Sequence, residues 1–226
     1  MSRKESPSKR IKIDPQGFSD EQKTCLHEEG FIVLPQLVNV NAEFLTSVKA
    51  QQNRACVIFN QLSGQRDTTK GDGKRKQFQL DKTGGVIKKV IGTLSARLFA
   101  LSGQKPQSWV GLQSRPGCQE QPPHADFPPL GLSEEQMPLA VLVALMPGTT
   151  VQVWPRSLRY TGYDLNKIQK VSLSLNPGDV FLFRGDLVHA GSAYADENFR
   201  LHAVLINPEN PVKYSNQTWL VEPTKS

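Results

Sequence analysis

The chain is poor in the features that would place it in a membrane or outside the cell. Only three cysteines occur in 226 residues, Cys25, Cys56 and Cys118; they are far apart and form no C-x-x-C pair. An odd, scattered set argues against a disulfide framework and fits free thiols in a reducing, intracellular compartment, each read as a small buried hydrophobe. No apolar run approaches the roughly 18 residues of a membrane-spanning helix, so no membrane partner is expected. The N-terminus has basic residues but no apolar stretch after them, which excludes a secretory signal. The glycines spell no phosphate loop, because no G-K-S/T follows them. No basic groove interleaved with aromatics, of the kind that stacks bases, is visible. There are only four histidines, so each can be weighed singly.

What is present is ordinary for a globular protein: 38% hydrophobic and 21% charged residues, in a length that suits one domain with a sizeable core. The net charge of +6 is unevenly placed. Arg3, Lys4, Lys9, Arg10 and Lys12 face only Glu5 in the first twelve residues, a local +4. A second patch, 66–89, carries a local +5, which leaves the remainder at −3. Attraction to polyanions would therefore come from two patches and not from the whole surface. Residues 1–17 are polar, short of large apolar side chains and expected to be a disordered tail. Within them Lys9, Arg10 and Lys12 resemble a short nuclear localisation signal, a cluster that suits an acidic groove on an import receptor. The same cluster also reads as a solvated basic tail.

Local signals then mark the elements. Ser19 with Gln22 is a capping box opening a helix that runs to about Glu29, with Gly30 after it. Phe31 to Leu34 reads as a strand, and His27 as a surface or packing residue. Asn41 caps a second helix to about Ala55. Residues 61–85 are rich in Gly, Lys, Asp and Thr and read as a long irregular loop. Val86, Ile87, Val90, Ile91, Leu94, Leu98 and Leu101 recur at helical spacing, a core stripe that stops at Gly103. From Ser108 short strands follow: 109–113, 138–146, 151–154 and 170–175, with turns between them, as in a β-sandwich or barrel.

The chemistry is concentrated in two stretches. Leu175 to Ile206 holds a Pro177-Gly178-Asp179 turn, an apolar run Val180 to Phe183, then His189, then Phe199 to Ile206. On an extended chain Arg200, His202 and Val204 share one face, and Leu201, Ala203 and Leu205 the other. An arginine and a histidine opposite an apolar stripe predict a polar site. Upstream, Ser114 to Pro128 holds His124 and Asp126, two apart and so pointing the same way. Two histidines and one carboxylate, His124, Asp126 and His189, can cap one face of an Fe(II) ion and leave positions open.

These residues resemble the 2-oxoglutarate/Fe(II)-dependent dioxygenases, most closely the phytanoyl-CoA dioxygenase-like branch. The likeness rests on H-x-D at His124-Asp126, a distal His189 after a P-G-D turn and strand, and Arg200 eleven positions beyond it. Arg115-Pro116-Gly117 and the opening stretch Phe18 to Leu37 add to it. The resemblance implies a mainly β chain with flanking helices and a double-stranded β-helix, or jelly-roll, core. It also implies a single oxygenase domain over 18–226: a helical part 18–107, the jelly-roll 108–207 and a tail 208–226. In that reading His124, Asp126 and His189 bind Fe(II), and Arg200 holds the distal carboxylate of the cosubstrate 2-oxoglutarate. Dioxygen and cosubstrate are consumed, succinate and CO2 are released, and a C–H bond is hydroxylated or demethylated, with ascorbate as a candidate reductant.

The sequence departs from that family in two places. The element P-G-S-H of many relatives is Trp154-Pro155-Arg156-Ser157 here, and the serine two residues after the distal histidine is Gly191. Ser192 or His202 is a candidate to replace it, and Gln113 a further candidate to reach the pocket. Loops such as 61–85 often flank the substrate mouth in this class, which makes Lys74, Arg75 and Lys76 candidates for an anionic substrate. With the nuclear signal, they point to nucleic acid or a chromatin protein as substrate, with a small metabolite as the alternative. The rival from another class is a non-catalytic jelly-roll binding module.

Overall fold

The computed structural model describes residues 17–54, 56–57, 73–81, 85–127, 131–158, 165–212 and 219–220, so Lys9, Arg10 and Lys12 lie outside it. The first helix, α1 (Asp20–Glu28), opens on the expected capping box. The Gln22 N–H donates to Ser19 Oγ at 3.2 Å, and the Ser19 N–H donates to Gln22 Oε1 at 2.9 Å. Gly30, at φ 88°, takes the left-handed conformation that ends the helix, and β1 (Phe31–Leu34) follows. Helix α2 (Ala42–Ala50) starts where Asn41 Oδ1 accepts the Phe44 N–H at 2.8 Å. It ends earlier than expected and passes into a 3₁₀ turn over Gln51–Arg54. Helix α3 (Gly85–Ser102) buries Ile87, Ile91, Leu94 and Leu98 of the stripe read from the sequence, and Val86, Val90 and Leu101 pack half-buried at its margin.

The other strands are β2 (Cys56–Val57), β3 (Arg75–Gln79), β4 (Lys105–Ser114), β5 (His124–Ala125), β6 (Leu139–Ala144) and β7 (Thr149–Val153). After them come β8 (Val171–Leu175), β9 (Val180–Arg184), β10 (His189–Gly191), β11 (Asn198–Ile206) and β12 (Trp219–Leu220). They form a seven-stranded sheet in the order β1-β9-β6-β11-β4-β3-β2 and a five-stranded sheet β12-β5-β10-β7-β8. Every pairing is antiparallel. The Pro177-Gly178-Asp179 turn sets the start of β9. The Asp179 carboxylate, wholly buried, accepts the N–H groups of Gln36 and Asn176 at 2.9 Å each.

The larger sheet has an apolar layer on each face. Outward, Val141, Val143, Val180, Leu182, Leu201, Ala203 and Leu205 pack with Phe44, Ile91, Leu94 and Leu98 of the helices. Inward, Ala140, Ala144, Phe181 and Phe183 meet Val151, Val153, Leu173 and Leu175 of the smaller sheet. Two antiparallel sheets face to face, with helices on the outer face of the larger one, make the jelly-roll that the sequence predicts. Each fully buried Leu or Phe contributes about 1.5–3 kcal/mol, so these two layers outweigh any surface interaction.

One element departs from expectation. Strand β3 lies inside the stretch read as an irregular loop. R-K-Q-F-Q carries a single apolar residue, Phe78, so hydrophobic alternation gave no sign of it. Pairing with β4 supplies the order that the side chains do not. Phe78 fills the space above Gly111, where an added Cβ would lie 2.2 Å from the ring. Gly111→Ala should therefore cost about 1–3 kcal/mol through overpacking. Thermal or urea denaturation measures it, and an unchanged midpoint would show that the Phe78 ring can yield.

Candidate metal centre

The site lies between the sheets, where strand pairing sets two histidines side by side. His124 of β5 is directly opposite His189 of β10, and their rings stand 4.4 Å apart between centroids. Asp126 follows two residues after His124. Ligand atoms of His124, Asp126 and His189 all lie within 4.8 Å of one another. Each imidazole is oriented from behind. His124 Nδ1 contacts the Pro122 carbonyl at 2.8 Å and His189 Nδ1 the Leu187 carbonyl at 3.0 Å. A proton on Nδ1 donates to the carbonyl and leaves the Nε2 lone pair for a metal, the arrangement by which backbone groups fix the tautomer of ligating histidines. Ser157, in the stretch that departs from the family, accepts the Val188 N–H at 3.0 Å and so steadies the residue before His189.

The electrostatics suit a cation. Burial, with His189 beside it, pushes the His124 pKa down to about 3, so the ring is neutral and its lone pair available. Burial alone would push Asp126 up. His189, His202 and His124 outweigh that effect and hold the carboxyl well below the usual carboxylate range, hence ionised. Asp126 Oδ2 is buried without a hydrogen-bond partner. His202 Nε2 stands 3.4 Å from it, within ion-pair reach but without hydrogen-bond geometry. A buried carboxylate oxygen left in this way is costly unless something else binds it. Two imidazoles and an ionised, under-satisfied carboxylate fit a divalent first-row metal, the facial pattern of Fe(II) among them.

Arg200 lies on the same inner face of β11 as His202, two residues and so about 7 Å along the strand. It is only 4% exposed. Its guanidinium donates to Ser114 Oγ at 2.7 Å and Asn198 Oδ1 at 3.3 Å, and lies 4.8 Å from the Tyr194 ring centroid. No carboxylate of the described residues pairs with it. A buried guanidinium with neutral partners alone is a seat for an anion.

The other candidates divide. His202 stands beside Asp126, 3.4 Å from Oδ2, on the same face of β11 as Arg200. Gln113 is not: it pairs with Phe199 on the helix-facing side of the sheet and donates to Gln52 at 2.9 Å and Glu197 at 2.8 Å. Its parity with Trp109, a core residue four positions earlier, was the signal that could have shown this. The Ser192 side chain also faces away, its Oγ accepting from Gln152 Nε2 at 2.9 Å. Lys74, Arg75 and Lys76 do not form one surface. Pleating turns Arg75 inward, 6% exposed, while exposed Lys74 donates to the Gly117 carbonyl at 3.1 Å. Ser114 and Arg75, which the sequence gave no reason to place beside Arg200, complete the polar end of the pocket.

The fold is a jelly-roll of two antiparallel sheets with a His-Asp-His cluster among the described residues, and it is shared with solved structures of α-ketoglutarate-dependent proteins. No family model matches the sequence, and no curated protein matches it. Among solved structures it is similar to the α-ketoglutarate-dependent carbocyclase SnoK of nogalamycin biosynthesis, at TM-score 0.61 and 15% identity, covering 94% of this chain and 100% of that one. The epimerase SnoN in complex with Fe3+, α-ketoglutarate and nogalamycin RO gives TM-score 0.66 at 13% identity, covering 91% and 96%. HygX from Streptomyces hygroscopicus, with nickel and 2-oxoglutarate bound, gives 0.59 at 10%, covering 85% and 88%.

Asp126→Ala removes the one charged donor of the cluster and should abolish Fe(II) or Mn(II) binding in a calorimetric titration. His202→Ala, which removes the ring beside Oδ2, should weaken it by roughly 10- to 100-fold. Undiminished affinity in Asp126→Ala would mean that the cluster is not the metal centre.

Proposed function

We propose that the protein is an Fe(II)- and 2-oxoglutarate-dependent dioxygenase that oxidises a C–H bond of an organic substrate. The observation that carries this reading is Arg200. A buried cation with no carboxylate partner among the described residues lies on the same strand face as His202, which stands beside Asp126. Fe(II) and 2-oxoglutarate, when bound, supply the oxidative chemistry, with release of succinate and CO2.

The chain's own residues bind, orient and shield. His124, Asp126 and His189 offer three ligand atoms on one side and leave the other open. The Pro122 and Leu187 carbonyls hold the two rings in the tautomer that presents Nε2. His202 stands beside Asp126 Oδ2. Arg200 offers a planar, permanently charged fork for the distal carboxylate, which a lysine would not match. Phe183 packs edge-on against His189, with centroids 4.6 Å apart, and keeps water from that side. The motifs Arg115-Pro116-Gly117, H-x-D and P-G-D support placement in the phytanoyl-CoA dioxygenase-like branch, while Gly191 and the Trp154 to Ser157 stretch separate it from that branch's usual pattern.

For the substrate, the dispersal of Lys74, Arg75 and Lys76 removes part of the basic surface that favoured nucleic acid. A small organic molecule is the reading we prefer. DNA or RNA binding that falls steeply with salt would reverse that preference, because phosphate contacts release counterions.

The primary test is spectroscopic. The anaerobic protein with Fe(II) and 2-oxoglutarate should show the visible charge-transfer band of the chelate, and admission of oxygen should release succinate. Arg200→Ala should weaken 2-oxoglutarate binding roughly 100-fold, through loss of charge-assisted hydrogen bonds, and leave Fe(II) affinity intact. Absence of the band and of 2-oxoglutarate binding in the wild type would leave a jelly-roll binding module.

A further inference from the structure

The metal cluster depends on a very short strand pairing. β5 has two residues, and its register against β10 is the one pair His124↔His189. β10 is anchored on its other edge by three pairs with β7, so β5 is the strand that needs holding. Beside that pair the Gln121 N–H donates to the Gly191 carbonyl at 2.9 Å, and Gln121 Oε1 accepts the Gly191 N–H at 2.8 Å. So short a ladder is marginal by itself. A metal site, in contrast, tolerates only about 0.5 Å of misplacement of its ligands.

A buried arginine stands at each end of the pairing. At the end beyond Asp126 it is Arg184, the last residue of β9 and only 5% exposed. Its Nε and Nη2 donate to the wholly buried Asp186 carboxylate at 3.0 Å each, and its Nη1 and Nη2 donate to Glu134. The first contact closes the turn 184–187, in which the Leu187 N–H donates to the Arg184 carbonyl at 3.0 Å. That turn meets two of the three ligands. The Gly185 carbonyl accepts the N–H of Phe127, next to Asp126, at 2.9 Å, and the Leu187 carbonyl orients His189. The approach is so close that a Cβ added to Gly185 would lie 2.6 Å from the Phe127 ring. The second contact, to Glu134, holds the chain that follows Asp126.

At the other end it is Arg75. Its Nε and Nη2 donate to the Gln119 carbonyl at 3.3 and 2.6 Å, and Nη2 donates also to the Gly191 carbonyl at 3.1 Å and to the Ser192 carbonyl. It thereby ties the segment leading to His124 to the segment leaving His189. A Cβ added to Gly191 would lie 2.8 Å from Arg75 Nη1.

We infer that Arg75 and Arg184 are positioning residues for the metal centre, a clamp at each end of the β5–β10 pair that sets His124 and Asp126 against His189. This rests on the reading of the three residues as a metal centre and is independent of the cosubstrate. A planar fork of donors can grip two segments at once, which a lysine ammonium does not match.

The test is calorimetric titration with Mn(II). The visible bands of the Co(II)-loaded protein, which report ligand geometry, are a second readout. Arg184→Met and Arg75→Met should each weaken Mn(II) roughly 10- to 100-fold, the range for residues that orient metal ligands, and alter the Co(II) bands. Arg184→Lys and Arg75→Lys should restore neither. Melting temperatures are measured alongside. A change that only loosens the fold lowers the melting temperature but leaves the affinity of the folded protein unchanged, because the metal binds the folded state. Gly111→Ala, which faces the helix layer, is the control and should bind Mn(II) as the wild type does. If Arg184→Met does not fold, Arg184→Met with Asp186→Asn, which leaves no buried charge unpaired, takes its place. The Arg184 variants decide alone if Arg75→Met does not fold. Wild-type affinity and unchanged Co(II) bands in the arginine variants, or an equal loss in Gly111→Ala, would overturn the proposal and leave the metal centre standing. Failure of the wild-type protein to bind Mn(II) would overturn the metal centre and this proposal together.

Discussion

In β11, successive side chains must leave opposite faces of the sheet, and nine residues use that rule for two purposes. Phe199, Leu201, Ala203 and Leu205 point outward into the helix layer. Asn198, Arg200 and His202 point inward to the polar end of the pocket and to Asp126. β11 also lies between β4 and β6, so both faces are buried along most of its length. A register slip of one residue would put a guanidinium against α3 and a leucine into the site. The apolar face therefore holds the polar face in place.

The interior so formed carries charge that ordinary packing does not neutralise. Two guanidiniums meet at one serine hydroxyl, and an ionised carboxylate keeps one oxygen without a hydrogen bond. Each costs desolvation, which the surrounding apolar layers offset. A divalent cation at one end and an anion at the other would relieve both costs, and any such ligand would stabilise the fold by mass action.

Much of this was legible in the chain. The capping box at Ser19, the Asn41 cap, the stripe of α3 and the alternation of β11 are local signals, and each appears in the structure as read. Parity alone put Arg200 and His202 on one face. The failures were of two kinds. β3 has one apolar residue and inward polar ones, so nothing local distinguished it from a loop. Gln113 and Ser192 were placed by nearness in sequence to pocket residues, whereas the pleat decides the face; Gln113 follows Trp109 outward.

The sequence by itself determined the elements whose signals are short-range: helix caps, the apolar stripe, strand parity, and the residue types able to hold a metal and an anion. Only the tertiary structure decided which of them meet. Strand pairing set His124 against His189, and β3 beside β4 brought Arg75 to Ser114 across 39 positions of chain. Such contacts depend on register between distant strands, and no local pattern encodes register until the sheets have formed.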